Sequence, residues 1–161
     1  MVDSASPFWK STPLEAMSES QWEALCDGCG RCCLEKVKDY RTGKIFYTDQ
    51  ACPLLDLSSC RCRDYLRRSR IIPECVALRP GPARVLRWLP RTCAYRLLAE
   101  GKELAWWHPL VSGRPETVHE AGISIRGRRV FHRRDGACRD LEAHIVRWGF
   151  WARKAGVETR R

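Results

Sequence analysis

The sequence predicts a small, irregular α+β single domain, stapled by metal, with several short helices and one β-hairpin. Three observations predict it: helix-capping signals spread along the chain, one stretch patterned as two strands about a tight turn, and ten cysteines in 161 residues. A chain this long fits one domain and buries roughly 70% of its extended surface, so it does not need cross-links merely to fold. The domain is read as 1–161, with 1–17 an N-terminal arm and 133–161 a basic C-terminal helix and tail.

Taken in order, Thr12-Pro13-Leu14-Glu15 opens like a helix, with Thr at the cap, Pro at the first helical position and Glu closing a capping box. Ser18 and Gln21 repeat the logic, and the helix they open carries Trp22 and Leu25 straight into Cys26. The following loop, LCDGCGRCC, holds Gly28 and Gly30, where positive φ lets backbone N–H groups turn toward sulfur. From Lys36, KVKDYRTGKIFYTD reads as a hairpin with Thr42-Gly43 at the turn and Ile45, Phe46 and Tyr47 in the return strand. It runs toward Cys52 and brings that thiol back to the first loop.

From Cys60, CRCRDYLRRSRII reads as a short arginine-rich helix stopped before Pro73. Three prolines make 79–90 irregular, and Thr92 to Glu100 is helical with Gly101 as its stop. AWWHPLVSG (105–113) is apolar and then turns, GISIRGRRVFH (122–132) alternates like a strand, and Leu141 to Trp151 closes as an amphipathic helix. There is no internal repeat and no low-complexity tract.

The N-terminus lacks the apolar core of a signal peptide, and no run approaches the ~18 apolar residues of a membrane span. A cytoplasmic chain is the expectation, and clustered cysteines in a reducing compartment read as ligands or redox groups rather than disulfides. The formal net charge is +10, with residues 1–80 near balance (12 Lys/Arg, 11 Asp/Glu) and residues 81–161 strongly basic (17 against 8). Arginine outnumbers lysine 23 to 6. Such a half suits bidentate phosphate recognition and makes nucleic acid a candidate partner. Without a nucleic-acid-binding fold the preferred reading is a solvated arginine surface. No membrane partner is expected, and no other partner is indicated.

Cys26, Cys29 and Cys32 stand at the x2, x2 spacing that lets one loop wrap a metal or a cluster. The bacterial ferredoxin run is a poor match, because position 36 is Lys36 followed by Val37, and the fourth thiol is Cys33 instead. Neighbouring side chains leave the backbone in different directions, so Cys32 and Cys33 are expected to face two sites, or one of them to bridge. Cys52, Cys60, Cys62, Cys75 and Cys93 are available to complete four-thiolate centres, and the arithmetic permits two. Thiolates suit zinc and iron–sulfur alike, so the choice stays open. Cys138 lacks a spacing partner and reads as a small buried apolar residue.

Other side chains carry weaker signals. His108, between Trp107 and Pro109, reads as a satisfied core histidine before a ligand or acid–base group, and His119, His132 and His144 rank below it. Trp88, Trp106 and Trp107 read as packing residues rather than base-stacking ones. Asp27 and Glu35 flank the cysteine loop without forming a catalytic pair. No hydrolase triad, phosphate loop or dinucleotide fingerprint occurs.

The motifs PFW (7–9), QWEALCDGCGRCCL (21–34), AC (51–52), CRCRDY (60–65), PEC (73–75), WLPRTCAYRLLAEGKEL (88–104), WWHPLVSG (106–113) and GISIRGR (122–128) resemble those of the YcgN family of bacterial cysteine-cluster proteins. That family belongs to a wider group named for a zinc- or iron-chelating domain. The resemblance implies that Cys26, Cys29, Cys32, Cys33, Cys52, Cys60, Cys62, Cys75 and Cys93 chelate metal, and it leaves Cys138 outside. A similar segment accompanies flagellin lysine methylases, which leans toward iron–sulfur. The expected function is a structural or redox metal module. A metal-dependent enzyme with an open coordination position and a zinc-stapled nucleic-acid binder are the alternatives.

Overall fold

The hairpin converts its sequence pattern into structure most directly. In the computed structural model, which describes residues 6–80, 82–133 and 140–148, β1 (Leu34–Lys38) pairs antiparallel with β2 (Ile45–Ala51). Lys38 faces Ile45, Val37 faces Phe46 and Lys36 faces Tyr47, while an irregularity between Leu34 and Lys36 shifts the register so that Leu34 meets Ala51. Asp39 makes the turn: its carboxylate accepts from the Arg41 and Thr42 amides and the Thr42 hydroxyl. Gly43 supplies the left-handed φ of +70° that ends the turn. β3 (Phe131–His132) adds to β2 in parallel and completes a three-stranded sheet in the order β1-β2-β3.

Six short helices are present among the described residues: α1 (Phe8–Ser11), α2 (Glu19–Ala24), α3 (Arg68–Ile71), α4 (Ala94–Ala99), α5 (Pro109–Ser112) and α6 (Thr117–Glu120). The class is α+β with a hairpin, as expected. No helix among the described residues is long and apolar enough to cross a membrane. The chain divides into two units that interleave in sequence, Met1–Asp27 with Leu78–Pro115, and Gly28–Ala77 with Glu116–Arg161.

In the first unit, α2 begins on the capping box that Ser18 and Gln21 announce, both bonds being made. Trp22 packs on Tyr95 of α4 with ring centroids 4.6 Å apart, and the Tyr95 hydroxyl donates to the Trp22 carbonyl at 2.9 Å. This joins an aromatic contact to a satisfied polar tip. Arg96 ties α4 down by donating to the Arg87 and Leu89 carbonyls, and α4 stops at Gly101 with φ +67°. The segment read as an arm carries α1 and a 3-10 turn over Leu14–Ala16, and Lys10 pairs with Glu103 at 2.8 Å.

The second unit is built on an apolar cluster of Leu34, Ala51, Leu55, Cys60, Ile125 and Val130. Burial along β1 falls from buried Leu34 through half-buried Glu35, Lys36 and Val37 to exposed Lys38.

Four local expectations are corrected. Thr12 does not cap: the Leu14–Ala16 turn follows Pro13 and has no side-chain cap bond. The helix expected from Cys60 shrinks to Arg68–Ile71, because Arg63 N donates to the Leu54 carbonyl and Asp56 N to the Arg61 carbonyl, holding residues 61–63 extended. The strand expected over 122–132 is realised only at Phe131–His132. Ile125 N instead donates to the Cys29 carbonyl, and Gly127 turns the chain at φ +75°. The closing helix is one 3-10 turn, Leu141–His144, after which Ile145 bridges Thr48 and Val146 N reaches the Tyr47 carbonyl. There, sheet bonding outcompetes helix extension. Residues 149–151 of that helix, and Cys138, lie outside the described residues.

Candidate metal centre

The cysteine loop is shaped by its glycines. Gly28 and Gly30 have φ of +74° and +73°, and Gly30 caps a single 3-10 turn over Arg31–Cys33. That tight turn brings the Cys32 and Cys33 sulfurs to 3.9 Å of one another. The two adjacent thiols, expected to face two sites or to have one of them bridge, thus have their sulfurs close together, on a 3-10 turn rather than on opposite faces of a strand.

Three further thiols arrive from separate segments of the same unit. The hairpin delivers Cys52, whose amide donates to the Cys33 carbonyl at 2.9 Å. Cys62 sits in the short bridge opposite Leu55, three residues after Cys52. Cys75 follows α3, its amide bonded to the Ile72 carbonyl.

The electrostatics tie these thiols together. The Cys33 thiol is pushed far above its ordinary range by its hydrogen bond with Cys32, by burial, and by the charges of Cys32 and Cys52, with Lys36 opposing. Cys75 is raised mainly by burial; Cys52, Cys62 and Cys32 add to this, and Arg68 counters it. A metal ion bound by thiols favours their ionised form and displaces their protons.

Thiolate donors suit a thiophilic ion. Bonds of about 2.3 Å at a tetrahedral angle place neighbouring sulfurs about 3.8 Å apart, and Cys32 and Cys33 already stand at 3.9 Å. Among the described residues no group of three or more Cys, His, Asp or Glu side chains is placed so that it could hold a metal ion. Among them, too, no cysteine is joined in a disulfide.

The other cysteines have different surroundings. Cys60 is buried in the apolar cluster with a left-handed φ of +59°. Burial raises its thiol, while the Arg126 charge, the Arg126 and Ile125 amides and the Ser124 hydroxyl lower it. Cys29 is buried, and its carbonyl takes the Ile125 amide. In the first unit, Cys26 is exposed at the end of α2, and Cys93 is the residue that precedes α4.

The histidines are engaged elsewhere. His108 accepts from the Leu110 amide at Nδ1, so its proton sits on Nε2 and donates to the Leu25 carbonyl at 3.1 Å. It is fully buried, and burial lowers its pKa. It is a satisfied core histidine. His119 meets Ser124, His132 the Leu55 carbonyl and His144 the Asp49 carboxylate. The residue that spacing did not single out is Lys36, which donates to the Cys32 and Leu34 carbonyls at 2.7 Å each.

Comparison with known proteins follows the same residues. A family model described as "Putative zinc- or iron-chelating domain" matches residues 25–94. A UPF0260 protein of Gluconacetobacter diazotrophicus is 59% identical over 142 residues, covering 88% of this chain and 87% of that one. One from Rhodopseudomonas palustris strain BisB18 is 53% identical over 154 residues (95% and 91%), and one from Rhizobium meliloti is 54% identical over 144 (89% and 92%). No solved structure matches. The match over the cysteine segment supports a metal-binding protein, and similarity along nearly the whole length makes the chain a member of the UPF0260 family.

Proposed function

We propose that this is a cytoplasmic metal protein in which four of the thiols of Cys32, Cys33, Cys52, Cys62 and Cys75 hold a single zinc or iron ion as a structural or redox module. The observation that carries the reading is the 3.9 Å separation of the Cys32 and Cys33 sulfurs. It suits two ligands on one ion. A cubane puts each cysteine on a different iron and spreads the sulfurs further, so the spacing favours the single ion over an iron–sulfur cluster. The set leaves out Cys26, Cys29, Cys60 and Cys93. A shell filled by four thiolates supports a structural or electron-carrying role, since catalysis at the metal needs an open position.

The test is quantification of metal and acid-labile sulfide on full-length protein purified without air. One zinc or iron per chain and no sulfide is the expected result. Folded protein with no metal overturns the reading, and stoichiometric sulfide replaces the single ion with a cluster.

A further inference from the structure

We propose that the segment from Tyr65 to Val76 attaches this protein to an anionic membrane surface, its apolar side chains entering the headgroup layer while its arginines meet lipid phosphates. Four large apolar side chains there face solvent: Leu66 is 95% exposed, Val76 60%, and Tyr65 and Ile71 46% each. They are half of the large exposed apolar side chains among the described residues, which sets this stretch apart from singly scattered ones. Five arginines and one acid, Asp64, lie between Arg61 and Ile72, a local charge of +4. The rest of residues 1–80 holds 7 Lys/Arg against 10 Asp/Glu, so positive charge in that half of the chain is concentrated here.

The segment is held in shape by its own bonds. The Asp64 carboxylate accepts from the Arg67 amide and, at 2.8 Å, from Arg67 Nε. The amides of Arg70 and Ile71 then donate to the Arg67 carbonyl as α3 forms. The Arg68 guanidinium lies 3.7 Å from the centre of the Tyr65 ring. A cation thus sits on the face of an aromatic side chain of a type enriched at membrane–water interfaces. Arg67 and Arg70 are exposed next to Leu66 and Ile71 in the chain, and long arginine stems let charge stay at phosphate level while apolar neighbours go deeper. Nucleic acid would engage the arginines but has no use for bare Leu, Ile and Val side chains, and a protein partner would need a cavity matched to each. A bilayer takes up protruding apolar side chains without matched cavities and supplies phosphates for guanidinium. Surface attachment needs no spanning helix, so it departs from the expectation of no membrane partner while agreeing with the lack of a spanning helix among the described residues. It holds whichever ion the thiols carry.

The experiment is co-sedimentation of full-length protein, purified without air, with vesicles of phosphatidylcholine alone or mixed with phosphatidylglycerol, at ~0.15 M salt. Wild type should sediment with the mixed vesicles and stay free of phosphatidylcholine alone. Leu66→Ser should weaken partitioning about 10-fold, because a buried leucine side chain is lost, and Arg70→Gln should weaken it about fivefold. Both positions are exposed, so both variants should keep the wild-type melting temperature. Val111→Ser, at an exposed apolar position of the other unit, should bind like wild type. No sedimentation with the mixed vesicles overturns the proposal, as does wild-type partitioning of Leu66→Ser or an equal loss in Val111→Ser. A loss in Arg70→Gln alone overturns it too, since that is the diffuse attraction of a chain of net charge +10. Binding of a labelled RNA oligonucleotide that Arg70→Gln weakens, without vesicle binding, would assign the segment to nucleic acid instead. If Leu66→Ser melts lower than wild type, Val76→Ser takes its place and is read by the same outcomes.

Discussion

Replacing Gly30 by alanine tests how the cysteine loop is held against the apolar cluster. A Cβ at Gly30 would stand 3.0 Å from Ile125 Cγ1, 3.1 Å from Ile125 Cδ1 and 3.2 Å from Cys60 Cβ, on a backbone with φ +73°. The left-handed conformation costs an alanine about 1–2 kcal/mol, and overpacking a well-filled core adds about 1–3 kcal/mol, for a total of roughly 2–5 kcal/mol. Gly43→Ala is the internal control: its φ is +70°, and an added Cβ meets nothing within 4 Å. Both variants share the backbone penalty and the loss of unfolded-state freedom, so their difference isolates the packing cost. For a chain of this size 1 kcal/mol shifts the melting temperature by roughly 2–4 °C. Thermal unfolding of both variants in the same metal state should therefore place Gly30→Ala lower than Gly43→Ala by about 2–12 °C. Melting temperatures within about 2 °C of each other would show that Gly30 is not packed against Ile125 and Cys60, and the account of the loop would fail.

Replacing Cys32 and Cys33 together by alanine leaves three of the five candidate thiols and should abolish stoichiometric metal, while Cys60→Ala, buried in the apolar cluster, retains it, as measured by elemental analysis on anaerobic protein. Ser18→Ala removes a capping box and should lower stability by about 1 kcal/mol in chemical denaturation. Burial depresses the folded pKa of His108 below its ordinary 6.5, so the unfolded chain takes up the proton first, and stability is lost as pH falls below about 6.5. Melting curves across that range should slope less for His108→Asn than for wild type; parallel slopes would remove histidine burial as the cause. The excess of arginine is read as a solvated surface, so labelled duplex DNA should show no steeply salt-dependent binding in anisotropy, and a slope of several in log K against log salt would reverse that reading.

The short-range chemistry of this chain is legible without coordinates. Ser18 and Gln21 announce a capping box that forms, Thr42-Gly43 announces a turn that forms, and Gly101 stops α4 as its position suggests. Each depends on groups within a few residues, so local propensity suffices. The misreadings share the opposite cause. The alternation of 122–132 matches a strand, yet the amide of Ile125 is claimed by Cys29, nearly a hundred positions earlier. The amphipathic run from Leu141 ends in bonds to Thr48 and Tyr47 of β2 rather than in its own next turn. Periodicity cannot register a competing partner so distant along the chain.

Cysteine number, spacing and family likeness, all present in the sequence, are enough to point to a metal-binding protein of thiolate type. Which thiols share a space is a different matter. Cys32 and Cys33 look divergent as a dipeptide, and only the 3-10 turn capped by Gly30 sets their sulfurs side by side. The sheet register then draws in Cys52, and the tertiary path separates Cys60 from Cys62 although one residue parts them. Ligand type is a property of side chains and survives in one dimension. Ligand grouping depends on distances between segments, which exist only once the backbone bonds of the folded chain have been made.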